Sequence, residues 1–242
     1  VAQRARHGGF VDGAELFDNR AYSISPAEAL ATDPQQRLVL EHGYAAFLAA
    51  GLDRAALGGS DAGVAVGIYG VEFKTIQLDM AQSVYQSTGS ALSIASGRVS
   101  FALGIQGPCA SFETACSASL VGCHSALRAL QNRECHNHLA LGINLVLLPS
   151  SAITKGIAGM TSATGRCHTF DHRADGFTHS EGCAAVALQA TSTLPSSHLP
   201  GSVVRQDGRS ASLTAPNGLA QQNLLRASLA DAGHKADTLT QH

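Results

Sequence analysis

Cysteine is the side chain in this sequence best suited to covalent chemistry, and one of the six stands at a particular place. In SFETACSASLVGCHSAL, residues 111–127, a short strand-like run meets a helix-like run, and Cys116 lies at the junction. A strand that turns directly into a helix leaves the first helical N–H groups unpaired and aimed at the turn. Those donors and the helix dipole favour a thiolate, and the same N–H groups can receive the oxyanion when sulfur attacks a thioester carbonyl. The small neighbours Ala115, Ser117, Ala118 and Ser119 leave room for a substrate. The competing reading is an inert buried thiol, because free cysteine is among the most buried residue types. Cys123, two turns further along the same helical face, fits that packing role better.

A second chemistry to weigh is metal binding. Cys135, His136 and His138 form one cluster in the sequence, and Cys167, His168 and His172 another. Neither has the paired spacing that sets four ligands around one zinc ion, so both read as surface histidines beside small buried thiols, and no metal is expected. The irregular spacing of Cys109, Cys116, Cys123, Cys135, Cys167 and Cys183 does not make a secreted disulfide framework. A reducing, intracellular setting is expected, the cytoplasm first and a plastid second. Sixteen basic residues against eighteen acidic ones leave no positive excess to draw nucleic acid or an anionic membrane surface. No apolar run reaches the roughly 18–20 residues of a membrane span. The chain opens without methionine or a signal-like apolar stretch and reads as a piece of something longer.

The elements that must position Cys116 follow from pattern. Ser25 can cap a short helix opened by Pro26, and Asp33 with Pro34 a second one with Leu38, Leu40, Tyr44, Phe47 and Leu48 at helical spacing. AGVAVGIYG (62–70) reads as a strand buried on both faces, ALSIASGRVSFALG (91–104) as a helix, and CASFE (109–113) as a strand feeding the helix from Ser117 to about Gln131. HLALGINLVLL (138–148) and EGCAAVALQA (181–190) read as two further buried strands. Strands alternating with helices predict an α/β fold with a covered sheet. ATSTLPSSHLPG, residues 190–201, is the best internal boundary, followed by a turn-rich stretch and a last helix over LAQQNLLRASLADAG (219–233).

ETACSASLVGCHSAL resembles the active-site signature of β-ketoacyl synthases, whose core is usually Asp-Thr-Ala-Cys-Ser-Ser-Ser-Leu. ISPAEALATDPQQRLVLE, SGRVSFALGIQGP, KGIAGMTSATGRCHTFDHRADGF, EGCAAVAL and QDGRSASLTAPNG are similar to further blocks of that family, in the family's order. The DPQQR and DGRS…LTAPNG stretches are closest in character to modular, type I polyketide synthases.

The resemblance implies a thiolase-like layered αβαβα fold, incomplete here. Residues 1–191 would be the N-terminal half lacking its first strand, and 192–242 the linker and the start of a truncated C-terminal half. Cys116 would be the acyl-accepting nucleophile, its own backbone N–H forming half of the oxyanion hole. Glu113, Thr114, Ser117 and Glu181 would support it, Glu181 matching the glutamate of the family's Gly-Glu-Gly. Asp171, Arg173, Asp175 and Gly176 match a loop read as structural, since Asp and Gly suit tight turns and Arg173 can pair with a carboxylate. DPQQR is read likewise, with Asp33 as a cap and Gln35, Gln36 and Arg37 anchoring loops. The chain departs from the family at Glu113 (Asp), Ala118 (Ser), Ser180 (Gly) and Arg205 (Asn).

The implied reaction is a decarboxylative Claisen condensation: the acyl chain on Cys116 is extended by a malonyl-type thioester, with no bound cofactor. Substrates would arrive on the phosphopantetheine of an acyl carrier protein, and the chain would act as a homodimer. The family's two catalytic histidines stand in His-Gly-Thr-Gly-Thr and Asn-Ile-Gly-His blocks, and neither block occurs here, so none of the eleven histidines inherits their roles. An isolated piece should therefore load acyl groups slowly at best, and its exposed sheet edge and half-built core favour aggregation. The alternatives are a degenerate, non-elongating ketosynthase and a non-catalytic dimerisation partner. Retention of Cys116 weighs against the second.

Overall fold

A computed structural model of the chain describes residues 4–70, 72–191 and 197–235. Its elements in order are β1 (Gly8–Gly9), α1 (Pro26–Ala31), α2 (Pro34–Ala49), α3 (Arg54–Leu57), β2 (Gly63–Ile68), α4 (Glu72–Gln77) and α5 (Gln86–Ser90). Then follow α6 (Ile94–Leu103), β3 (Cys109–Phe112), α7 (Ala118–Gln131), β4 (Asn137–Asn144), α8 (Pro149–Ile157), β5 (His179–Ser180), β6 (Gly182–Gln189) and α9 (Gly218–Asp231). Ser25 and Asp33 cap α1 and α2 as their types predict: Ser25 Oγ accepts from Glu28 N, and Asp33 Oδ1 from Gln35 N.

Four strands form the central sheet in the order β3-β2-β4-β6. β2 runs parallel to β3 and β4, whereas β6 is antiparallel to β4. The pleat gives β2 and β4 two unlike faces. Val64, Val66, Ile68, Leu139, Leu141 and Ile143 turn to one side and form the core with Leu40 and Phe47 of α2 and Val99 and Leu103 of α6. Ala65, Gly67 and Gly142 turn to the other side and receive α7. The result is a sheet between helical layers, α/β and thiolase-like, in which β2 is buried along its whole length.

The glycines on the α7 side are there because of distance. Gly67 and Gly142 are register partners on adjacent strands. A Cβ on Gly67 would stand 2.4 Å from Ser119 N and 2.5 Å from the Ala118 carbonyl carbon. One on Gly142 would stand 2.6 Å from Ser119 Cβ. The first turn of α7, just beyond Cys116, therefore rests directly on strand backbone.

Two strands differ from their expected form. The sequence pattern predicts a buried strand for β6, but its residues alternate between half-buried and exposed. It is the sheet's edge, packed on one face only. The strand expected to reach Leu148 stops at Asn144, and residues 145–148 turn away toward α8. Helices α3, α4, α5 and α8 add to the elements the sequence pattern predicts; the first three are only four to six residues long and have little periodicity to read. Residues 192–196 of the expected linker, and 236–242, lie outside the described residues. Beyond that linker the chain docks on α7: Arg128 donates to Asp231 Oδ1 and to the Ser202 carbonyl, both at 2.7 Å, and Ser202 N donates to Asp231 Oδ2 at 2.9 Å.

DPQQR anchors loops through a buried network. Gln36 Nε2 donates to the carbonyls of Gly89 and Ala91, each at 3.1 Å, and its Oε1 accepts from Arg98 Nε at 2.7 Å. Arg98, 8% exposed, also pairs with Glu28 at 2.7 Å. Asp33 N donates to the Gly89 carbonyl at 2.8 Å. Burial pushes the Asp33 carboxyl above the ordinary range, against the backbone and side-chain donors of Gln35 that draw it down.

Candidate active site

Cys116 is exposed and sits in a 3-10 turn, Ala115–Ser117, between β3 and α7. Ala115, immediately before it, has φ +52°, a left-handed conformation that costs a residue with a Cβ roughly 1–2 kcal/mol. The chain thus reverses sharply between Thr114 and Cys116 and presents the thiol outward. Ser117 is the residue before α7 but makes no capping bond to the helix. Its hydroxyl turns back instead, donating to the Thr114 carbonyl at 2.8 Å and meeting Thr114 Oγ1 at 2.9 Å. The leading amides of α7 are left without a side-chain cap, as an oxyanion-binding terminus requires.

The turn opens onto a cleft of about 1240 Å³ that crosses the sheet from β3 to β6. Glu113, Cys116 and Leu120 line it at the β3 side, and His179, Glu181 and Val186 at the β6 side. α8 forms a wall through Ser151, Thr154 and Lys155. Leu120 is 72% exposed, so α7 is covered on only part of its circumference.

The other expected residues take distinct positions. Glu113 and Thr114 are exposed on the run into the turn. Glu181 lies across the sheet from Cys116, and both its carboxylate oxygens accept backbone amides, Oε1 from Val146 N and Oε2 from Val11 N, each at 2.9 Å. Ser180, which replaces a family glycine, accepts from Gly9 N at 3.2 Å in the small β1–β5 pair. Asp171 and Arg173 form a two-pronged ion pair at 2.7 and 3.0 Å, and the guanidinium holds the Asp171 carboxyl down at about 2. Asp175 Oδ2 accepts from Ala163 N, and Gly176, at φ +142°, passes so close to Thr161 and Ser162 that a Cβ would meet their backbone. These four residues build a loop rather than reach into the cleft.

The remaining thiols and histidines separate in the same way. Cys123 and Cys183 face the cleft, but burial pushes both thiols up, Cys183 to about 12. In the Cys135–His138 cluster, Cys135 is buried, His136 pairs with Asp61 at 2.6 Å, and His138 is buried against Gly63. Among the described residues, no three His, Cys, Asp or Glu side chains converge as metal ligands would. His179 was not singled out from the sequence. It lines the cleft in β5, just ahead of β6, with its Nδ1 buried and without a partner.

Known proteins share this arrangement. The sequence is 44% identical, over 96% of the chain, to the phenolphthiocerol synthesis polyketide synthase type I of Mycobacterium bovis, and 42% identical, over 93%, to erythronolide synthase EryA2 of Saccharopolyspora erythraea. It spans 11% and 7% of those proteins. The fold superposes on the ketosynthase from module 6 of the bacillaene synthase of Bacillus subtilis with TM-score 0.82 at 34% identity, covering 93% of this chain and 40% of that one. An oxazolomycin ketosynthase domain of Streptomyces albus gives TM-score 0.83 at 29% identity, over 94% and 41%. These relatives are bacterial, and none supports a plastid setting. No described helix is long and apolar enough to cross a membrane. The family description "Beta-ketoacyl synthase, N-terminal domain" matches residues 2–193, and the chain belongs to that family.

Proposed function

We propose that this chain carries the acyl-loading step of a polyketide ketosynthase, with Cys116 as its nucleophile. The observation that carries the reading is the exposed thiol on the strained Ala115 turn, at the mouth of the cleft and ahead of an uncapped helix. In the loading step the Cys116 thiolate attacks the carbonyl of an acyl chain held as a phosphopantetheine thioester on an acyl carrier protein. The Cys116 N–H receives the negative charge on the carbonyl oxygen. That attack forms the new C–S bond; collapse of the tetrahedral intermediate restores the carbonyl and breaks the old C–S bond, and the carrier thiolate leaves and takes up a proton. Glu113, Thr114 and Ser117 shape the turn that holds the sulfur, and Glu181 holds the opposite end of the cleft.

Extension by a malonyl-type thioester completes the cycle. Decarboxylation generates the carbanion that attacks the Cys116 thioester, and the chain lengthens by two carbons. That half uses the family's histidine pair, and His179 stands in neither of the family's histidine blocks and does not inherit their role. Residues 1–191 act as the N-terminal half of the condensing domain and 192–242 as the linker and the start of the C-terminal half, working within a homodimer.

The test is covalent labelling by an acyl thioester or by cerulenin, mapped by mass spectrometry and compared with Cys116→Ala. Adduct confined to Cys116 and absent from the variant is the expected result. A well-folded wild-type chain without adduct rejects the nucleophile and favours a non-catalytic dimerisation partner.

A further inference from the structure

Residues 145–148 leave the sheet between Asn144 and α8 and lose the strand ladder that satisfied their neighbours. Four consecutive backbone amides in a half-buried segment need acceptors, and each unmatched one is costly. All four are met by side chains from distant parts of the chain. Leu145 N donates to Gln35 Oε1 at 3.2 Å, and Val146 N to Glu181 Oε1 at 2.9 Å. Leu147 N and Leu148 N both donate to the same oxygen, Glu72 Oε2, at 2.6 and 2.7 Å.

Glu72 holds two of the four bonds, at the most consequential point. Leu148 immediately precedes α8 and no side chain caps that helix locally, so the Glu72 carboxylate supplies negative charge at its N-terminus from 76 residues away. α8 is the wall that brings Ser151, Thr154 and Lys155 to the cleft, and Glu72 itself borders that cleft. On the opposite side of the segment, Gln35 is fixed by Asp33, whose two oxygens accept Gln35 N at 2.8 Å and Gln35 Nε2 at 3.3 Å.

We propose that Glu72 is a positioning residue that clamps residues 147–148 and so fixes the α8 wall against which an acyl chain on Cys116 must fit. Discrimination between acyl chains then depends on Glu72 although the carboxylate does not touch the sulfur. The consequence for acyl selection rests on the loading reading above, whereas the clamp itself does not.

Both parts are read on the full 242-residue chain. Hydrogen exchange of the Leu147 and Leu148 amides reports the clamp. The ratio of Cys116 acylation rates with acetyl and octanoyl N-acetylcysteamine thioesters reports the wall. Glu72→Ala is expected to lower amide protection at 147–148 at least tenfold and to move the acylation ratio at least threefold toward unity, with the melting transition still cooperative. Glu72→Gln keeps one carbonyl oxygen in the place of Oε2, so it should restore both readouts. Glu72→Asp keeps the charge but withdraws the acceptor by about 1.5 Å, and should fall between them even if the alanine variant does not fold. Wild-type protection at 147–148 in the alanine and aspartate variants overturns the clamp. Lost protection with an unchanged acylation ratio overturns its role in acyl selection. A wild-type chain that never acylates rejects the loading reading and the acyl-selection part with it, and the exchange measurement still decides the clamp.

Discussion

Replacing Gly67 by alanine tests the physical basis of the site most directly. The added Cβ would stand 2.4 Å from Ser119 N, 2.5 Å from the Ala118 carbonyl carbon and 2.6 Å from Ser119 Cα, all backbone atoms that no side-chain rotation can move aside. Ordinary carbon contacts begin near 3.4 Å, so the first turn of α7 must lift by about 1 Å or the strand must bend away. Overpacking of this kind costs about 1–3 kcal/mol. A displacement of about 1 Å at a reacting group can slow the reaction by as much as about 10²-fold. Gly97→Ala is the control, because that position in α6 has nothing within 4 Å of an added Cβ and should gain about 0.5–1 kcal/mol. Denaturant unfolding gives the stability change, and mass-mapped acyl-thioester labelling of Cys116 at early times gives the rate. Gly67→Ala should lose stability and also label more slowly than the same folded amount of wild type. If it proves as stable and as reactive as Gly97→Ala, the close seating of α7 on β2 does not hold Cys116 in place.

Three further outcomes follow from the buried and half-buried polar groups. His138 is buried, and desolvation lowers its imidazole pKa from the ordinary 6.5, outweighing the opposing effects of the Leu139 carbonyl and Glu134. Because the unfolded chain then binds the extra proton first, stability is fully present above pH 6.5 and falls as pH drops from there through the folded-state value; His138→Gln should flatten that part of the profile in pH-dependent chemical denaturation. Arg98→Ala removes the charged partner of Glu28 and the Nε donor to Gln36, and should cost on the order of 3 kcal/mol in the same assay. Glu28→Gln, which retains an acceptor on a partner 27% exposed, should cost about 1 kcal/mol or less.

The sequence by itself determined the family, the α/β class and the junction at which Cys116 stands. Those depend on local pattern: the Ser25 and Asp33 caps, the apolar spacing of α2, the continuous apolar run of β2, and the order of family blocks around ETACSASL. A finer signal lay unread in the alternation of large and small residues in VAVGI and LALGI, which separates the face packed on α2 and α6 from the face that seats α7. Tertiary structure alone decided the Gly67–Gly142 register, the antiparallel β6 edge and the capture of the 145–148 amides by Gln35, Glu72 and Glu181. Each joins residues from about 35 to more than 100 positions apart, and local propensity carries no information about which distant donor meets which acceptor. The sequence therefore supplied a thiol at a turn, and packing across the sheet supplied the cleft it faces.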